Sequence, residues 1–189
     1  LTRRLWERPY VAAGIFLSGV QNLAIDIAGE AGDLARRRRA EGVSIAASKS
    51  SLADIVTEAD REVEALIRAR LNDERPGDGF LGEESGGAEG TTGIAWVVDP
   101  IDGTVNYASG IPLYAVSIAA VQGSRDPDDW TALAGVVRSP AMGETFSAAR
   151  GEGASVNGVR LRIAEPGPAG ALLATGFGYD PATHAGDLA

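Results

Sequence analysis

Two carboxylates three residues apart, Asp99 and Asp102, stand in the segment Trp96-Val97-Val98-Asp99-Pro100-Ile101-Asp102-Gly103-Thr104-Val105-Asn106-Tyr107. The apolar run before them reads as a buried strand that delivers Asp99 at its C-terminal end. Pro100 would stop that strand and Gly103 would let the chain turn tightly. A short helix beginning near Gly103-Thr104 would aim free N–H groups at the space the carboxylates border, and an anion could bind there with metals between. The alternative is an Asx-type turn in which Asp and Gly only shape the backbone.

Scarcity narrows the chemistry further. The 189-residue chain has no Cys, one His (His184) and one Lys (Lys49). Thiolate nucleophiles, disulfides, Cys-ligated zinc and a Ser-His-Asp triad therefore have little or nothing to work with. Lys49 has no glycine-rich loop before it, which excludes a Walker A phosphate loop. What remains is carboxylates, hydroxyls and backbone amides, the ligands of hard cations such as magnesium. A formal net charge of -9 argues against a nucleic-acid partner, because phosphate-backbone binding usually shows as a basic excess. With no Cys the redox compartment stays open and a cytoplasmic location is the default, and the apolar stretch Val11 to Leu17 falls well short of the roughly 20 residues that span a bilayer, so no membrane partner is expected.

The elements that must carry these residues can be read from periodicity. Leu23, Ala24, Ile27, Ala28, Ala31, Leu34 and Ala35 recur at helical spacing and end in Arg36 to Arg39, which is expected to be a solvated helix C-terminus. Thr57-Glu58-Ala59-Asp60 looks like a capping box opening a second helix with Val63, Leu66, Ile67 and Leu71 on its apolar face, until Pro76-Gly77 breaks it. From Phe80 onward the pattern becomes short β-prone runs: Ile94 to Val98, Tyr114 to Val121, Leu133 to Val137 and Thr145 to Ala148. Asn157-Gly158 marks a two-residue hairpin, and Leu172 to Thr175 could add another strand. Two helices followed by mostly antiparallel strands predict one α+β layered domain over residues 1–189.

The motif Asp99-Pro100-Ile101-Asp102-Gly103-Thr104, followed by Asn106 and Tyr107, resembles the signature of the inositol monophosphatase family, a branch of the lithium-sensitive sugar phosphatases. Leu81-Gly82-Glu83-Glu84-Ser85 is similar to that family's Gly-Glu-Glu-Ser segment. Ser48-Lys49-Ser50 with Asp54 to Asp60 resembles its upstream motif, and Gly151 to Ala154 with Asn157-Gly158 its later hairpin. The resemblance implies an αβαβα sandwich of which this chain carries the N-terminal α+β part. It also implies a homodimer and magnesium-dependent, lithium-sensitive hydrolysis of inositol monophosphate or a similar small phosphorylated alcohol. Glu83, Asp99, the carbonyl of Ile101 and the hydroxyl of Thr104 would surround one magnesium. Asp99 would bridge to a second ion ligated by Asp102, and the amides of Gly103 and Thr104 would hold the phosphate beside Asp102. Asp60 would hydrogen-bond Thr104, so that Thr104 and Glu83 orient and deprotonate a metal-activated water. Lys49 could shield the site.

Physical chemistry supports that assignment, since a phosphate dianion would be repelled by four carboxylates unless divalent ions reverse the local charge. Glu84 is expected to face solvent, Asp54 to order its loop, Trp96 and Tyr114 to lie in the core, and Asp126 to Asp129 to form a solvated turn. The family continues through a Trp-Asp segment completing the second metal site. The sequence reaches Ala189 without one, and Asp180 and Asp187 stand in the wrong context to replace it, so an incomplete record of a longer protein is expected. Relatives of the same fold act on histidinol phosphate, fructose bisphosphate or phosphoadenosine nucleotides. A non-catalytic regulatory binding module with the family shape is the reading from a different class.

Overall fold

A computed structural model of the chain describes residues 9–43, 45–48, 55–123, 127–163, 167 and 170. Lys49, Asp54, Asp126, the strand expected at 172–175, Asp180, His184 and Asp187 lie outside the described residues.

Helix α1 runs Pro9–Glu41, longer than its clearest apolar stripe. A hairpin of β1 (Ile45–Ser48) and β2 (Ile55–Thr57) leads into α2 (Glu58–Glu74). Thr57 caps α2 in the expected way: its hydroxyl accepts from the Asp60 amide while the Asp60 carboxylate accepts from the Thr57 amide, satisfying two N–H groups at the helix start. Val63, Ile67 and Leu71 repeat every four residues along α2 and are buried. They dock the helix beside α1 and against the sheet.

That sheet contains β3 (Gly79–Gly82), β4 (Gly86–Ala88), β5 (Ile94–Asp102), β6 (Ala115–Gln122), β7 (Thr131–Ser139), β8 (Glu144–Ala149), β9 (Gly153–Val156) and β10 (Val159–Arg160). The spatial order is β10-β9-β8-β7-β6-β5-β3-β4, with every pairing antiparallel except β3 with β5. A five-residue helix, α3 (Thr104–Ala108), follows β5. Asn157 and Gly158 both adopt positive φ and pair Val156 with Val159, giving the predicted tight hairpin.

Register explains where the core sits. Phe80, Trp96, Ala120, Ala134 and Ala149 are successive cross-strand partners, all buried, and Val98, Ile118 and Val136 form the parallel row beside them. With period two along each strand, these rows occupy one face, against which the helices pack. The opposite face carries Leu81, Val137 and Phe146, each exposed. This is an α+β architecture with one helical layer on one sheet.

Two expectations change. Pro100 does not end β5. The strand continues to Asp102 across a register break between Asp99 and Asp102, where an irregular ladder tolerates a residue without an N–H. The arginine run is only partly solvated: Arg36 and Arg37 are exposed, but Arg39 turns toward the core, donating to the Tyr107 carbonyl (3.2 Å) with its guanidinium 5.0 Å from the Tyr114 ring centre. The short, glycine-rich strands β3 and β4 carry little β propensity and are set by pairing with β5 rather than by their own pattern. Trp96 and Tyr114 are core residues as expected, and the indole N–H of Trp96 donates to Asp78 (2.9 Å).

Candidate active site

Three segments meet at the C-terminal end of β5. The strand brings Asp99, its irregular end presents Ile101 and Asp102, and Gly103 turns the chain at φ 89°, ψ 40° into α3. A Cβ at Gly103 would lie 2.9 Å from the Leu113 carbonyl, so both conformation and space require glycine. The parallel partner β3 ends at Gly82 opposite Val98, and the Glu83 amide donates to the Val98 carbonyl (3.1 Å), placing Glu83 beside Asp99. From the helical layer, Asp60 reaches the start of α3.

Thr104 is held by two acceptors. Its Oγ1 lies 3.1 Å from Oδ1 of Asp60 and 3.0 Å from the Ile101 carbonyl oxygen. A hydroxyl has one proton to give, so donation to Asp60 leaves the lone pairs of Thr104 beside the Ile101 oxygen, and two ligand-grade oxygens share one small space. Asp60 itself is 2% exposed, and its other oxygen takes the Thr57 amide and hydroxyl. Burial raises the Asp60 pKa, while the hydrogen bonds from Thr57 and Thr104 pull it back. Below this, the Tyr107 hydroxyl donates to the Ala35 carbonyl (2.8 Å) and ties α3 to α1.

Asp99 is strained electrostatically. Its Oδ1 is buried with no hydrogen-bond partner. Burial drives its pKa well above the ordinary carboxyl range, and the contacting carboxylate of Glu83, then Asp102 and Asp60, push the same way. Asp102 and Glu83 are exposed at the rim. Glu84 is half-buried beside them.

Among the described residues no three Asp, Glu or His side chains form a ready-made cation cluster. The groups that meet are the Glu83 and Asp99 carboxylates, and separately the Thr104 hydroxyl with the Ile101 carbonyl and Asp60. Even so, the donor set fits a divalent cation: every donor is oxygen, and a buried carboxylate oxygen without a partner, crowded by other acids, is stabilised by either a proton or a metal. Two clefts of about 470 and 520 Å³ flank β3 and β4, and neither is lined by Asp60, Asp99, Asp102 or Thr104.

Residues 17–187 match the sequence profile of the Inositol monophosphatase family. The chain belongs to this family. It is 42% identical over 179 residues to the inositol-1-monophosphatase SuhB of Mycobacterium tuberculosis, covering 85% of this chain and 60% of that one. It is 49% identical over 107 residues to a histidinol-phosphatase of the same organism, covering 56% of this chain and 39% of the relative. Among solved structures, the extragenic suppressor protein SuhB of Bartonella henselae superposes with a TM-score of 0.68 at 36% identity, over 77% of this chain and 54% of that one. The chain thus spans about half to three-fifths of the length of the inositol-phosphatase relatives it matches. The family's layered α+β fold accounts for the helical layer and sheet described above.

Sequence reasoning missed two residues that build this site. Glu64, on the buried face of α2, accepts from the Glu84 and Ser85 amides. A signal for it existed, a charged residue at i+4 from Asp60 within an apolar stripe. Arg39 was hidden in a run of four arginines whose members are indistinguishable by type.

Proposed function

We propose that the protein is a magnesium-dependent phosphomonoesterase that hydrolyses inositol monophosphate or a similar small phosphorylated alcohol. The observation that carries this reading is Asp99, a half-buried carboxylate with one buried, unpartnered oxygen, in contact with Glu83 and one strand-end away from a Thr104 hydroxyl already committed to Asp60. Glu83, Asp99, the Ile101 carbonyl and Thr104 would hold one cation, and Asp102 with Asp99 would contribute to a second. When bound, divalent ions counter the charge of the phosphate dianion, polarise the attacking water and stabilise the leaving oxygen.

The chain's own residues supply the rest. Thr104, donating to Asp60, presents its lone pairs to the attacking water and can take a proton from it as its own proton passes to Asp60. Water then adds to phosphorus, the bond to the alcohol oxygen breaks, the leaving alkoxide takes a proton from solvent while Asp60 returns its own to solvent, and alcohol and inorganic phosphate leave. Glu83 orients the same water from the β3 side. The amides of Gly103 and Thr104 receive phosphate oxygens. Because α3 is a single short turn, that contribution rests on the two amides and not on a helix dipole.

The histidinol-phosphatase relative keeps a second phosphomonoester in view, and substrate choice is the part of this proposal that side-by-side assays decide. Phosphate release from inositol 1-phosphate and from histidinol phosphate should be measured with magnesium and with a chelator. Magnesium-dependent release of phosphate from inositol 1-phosphate, abolished in Asp99→Asn, is the expected result. Full activity in the chelator would refute the metal-dependent reading, and faster release from histidinol phosphate would reassign the substrate.

A further inference from the structure

Glu64 is 2% exposed and carries a carboxylate on the face of α2 that packs toward the sheet. Burying a carboxylate is costly unless its oxygens are satisfied. Here both are: Oε2 accepts from the Glu84 amide at 2.8 Å and Oε1 from the Ser85 amide at 2.9 Å. These are the two peptide N–H groups that directly follow Glu83. The preceding residue is equally constrained, because a Cβ on Gly82 would lie 2.5 Å from the Glu64 Cδ. Residues 82–85 therefore wrap closely around one carboxylate, while the Glu83 amide is bound on the other side to Val98, next to Asp99.

Asp60 and Glu64 are four residues apart, so one helical turn separates the group that holds Thr104 from the group that holds the Glu83 turn. The same rigid face of α2 thus sets both halves of the site relative to each other. We propose that Glu64 is a positioning residue whose buried carboxylate holds the Glu83 turn against β5 and thereby sets the affinity of the Glu83–Asp99 pair for a divalent cation. This rests on the metal-dependent reading above. Glu64 touches neither water nor phosphate in that scheme, and acts only through residues 83–85.

A carboxylate is needed because two N–H donors must be accepted by two oxygens. Glu64→Gln keeps the shape but offers one oxygen, and its NH₂ would face a second N–H donor, so one end of the turn must detach. Gly82→Ala leaves every charge in place and displaces the turn by steric contact instead. Removing a partner that orients metal ligands costs roughly 10–100-fold in metal affinity. The test is Mn²⁺ binding to the full chain by calorimetry, alongside thermal unfolding without metal, for the wild type, Glu64→Gln, Gly82→Ala and, as a charge control on the exposed end of the same helix, Glu74→Gln. Both turn variants should bind Mn²⁺ about 10–100-fold more weakly than wild type, and Glu74→Gln should bind as wild type does. Wild-type affinity in folded Glu64→Gln and Gly82→Ala, even with lowered unfolding temperatures, would reduce Glu64 to a structural anchor and overturn the proposal. Absence of Mn²⁺ binding by the wild type would sink the metal reading itself and this inference with it.

Discussion

Asp60→Asn should separate the chemical role of Asp60 from its structural one. In the native protein Oδ2 accepts from the Thr57 amide (2.8 Å) and hydroxyl, and Oδ1 accepts from Thr104 (3.1 Å). An asparagine can keep only one of these sets. Turning its oxygen toward Thr57 preserves the helix cap and puts NH₂ against Thr104, whereas the reverse rotamer sets two donors face to face at the cap. The first arrangement wins because it leaves no buried N–H unpaired. Two hydrogen bonds then lose their charge assistance, worth about 1 kcal/mol each, while the relief of no longer burying a charge offsets part of that. The net loss should be about 1 kcal/mol, a drop of roughly 2–4 °C in unfolding temperature for a chain of this size. Thr104, by contrast, is now a hydrogen-bond acceptor from residue 60 and must give its proton to Ile101, so it can no longer relay a proton from water. Turnover should fall about 10²–10⁴-fold. Urea unfolding followed by tryptophan fluorescence and initial rates of phosphate release at saturating magnesium measure the two effects on one sample. Turnover within tenfold of wild type would refute the proton-relay argument, and a stability loss beyond about 4 kcal/mol would show that the cap, not Thr104, dominates the role of Asp60.

Asp99→Asn should not destabilise the metal-free protein, because it replaces a crowded, half-buried carboxylate by a neutral isostere, but it should abolish stabilisation by magnesium. A bound cation at about 100 times its Kd would stabilise the wild type by about 2.7 kcal/mol, and thermal unfolding with and without MgCl₂ checks both statements. Gly103→Ala forces a side chain into left-handed backbone against the Leu113 carbonyl and should cost at least about 1–2 kcal/mol by urea unfolding, together with most of the activity. Asp78 provides a pH test away from the site. Burial alone would raise its pKa, but hydrogen bonds from Arg75, Thr92 and Trp96 and the Arg75 charge outweigh burial and hold it below the ordinary value. A depressed native pKa contributes stability above the unfolded pKa of about 3.9, and that contribution disappears as pH falls through the native value. The stability gap between wild type and Asp78→Asn should therefore be wide at pH 7 and narrow on acidification, and a gap independent of pH in urea titrations would contradict this.

Local chemistry was readable from residue order wherever the partners are a few positions apart. Thr57 and Asp60 cap a helix because three residues bring each side chain to the other's amide, and Asn157-Gly158 makes a hairpin because both tolerate positive φ. The same holds for the strand, turn and short helix that group Asp99, Ile101, Asp102 and Thr104, although the passage of β5 through Pro100 required the irregular pairing with β6.

Tertiary structure decided which distant segments meet there. Glu83 reaches Asp99 only because β3 lies parallel to β5, Thr104 finds Asp60 across 44 positions, and Glu64 accepts from residues 20 and 21 positions away. Arg39 turns inward while Arg36 and Arg37 stay in water because α3 and Tyr114 cover that one position of the helix. Residue type and spacing determined which oxygens the chain can offer to the proposed metal and phosphate chemistry. Burial and proximity, which exist only once α2 packs on the sheet, decided which of those oxygens are strained, which are satisfied and which are held in place.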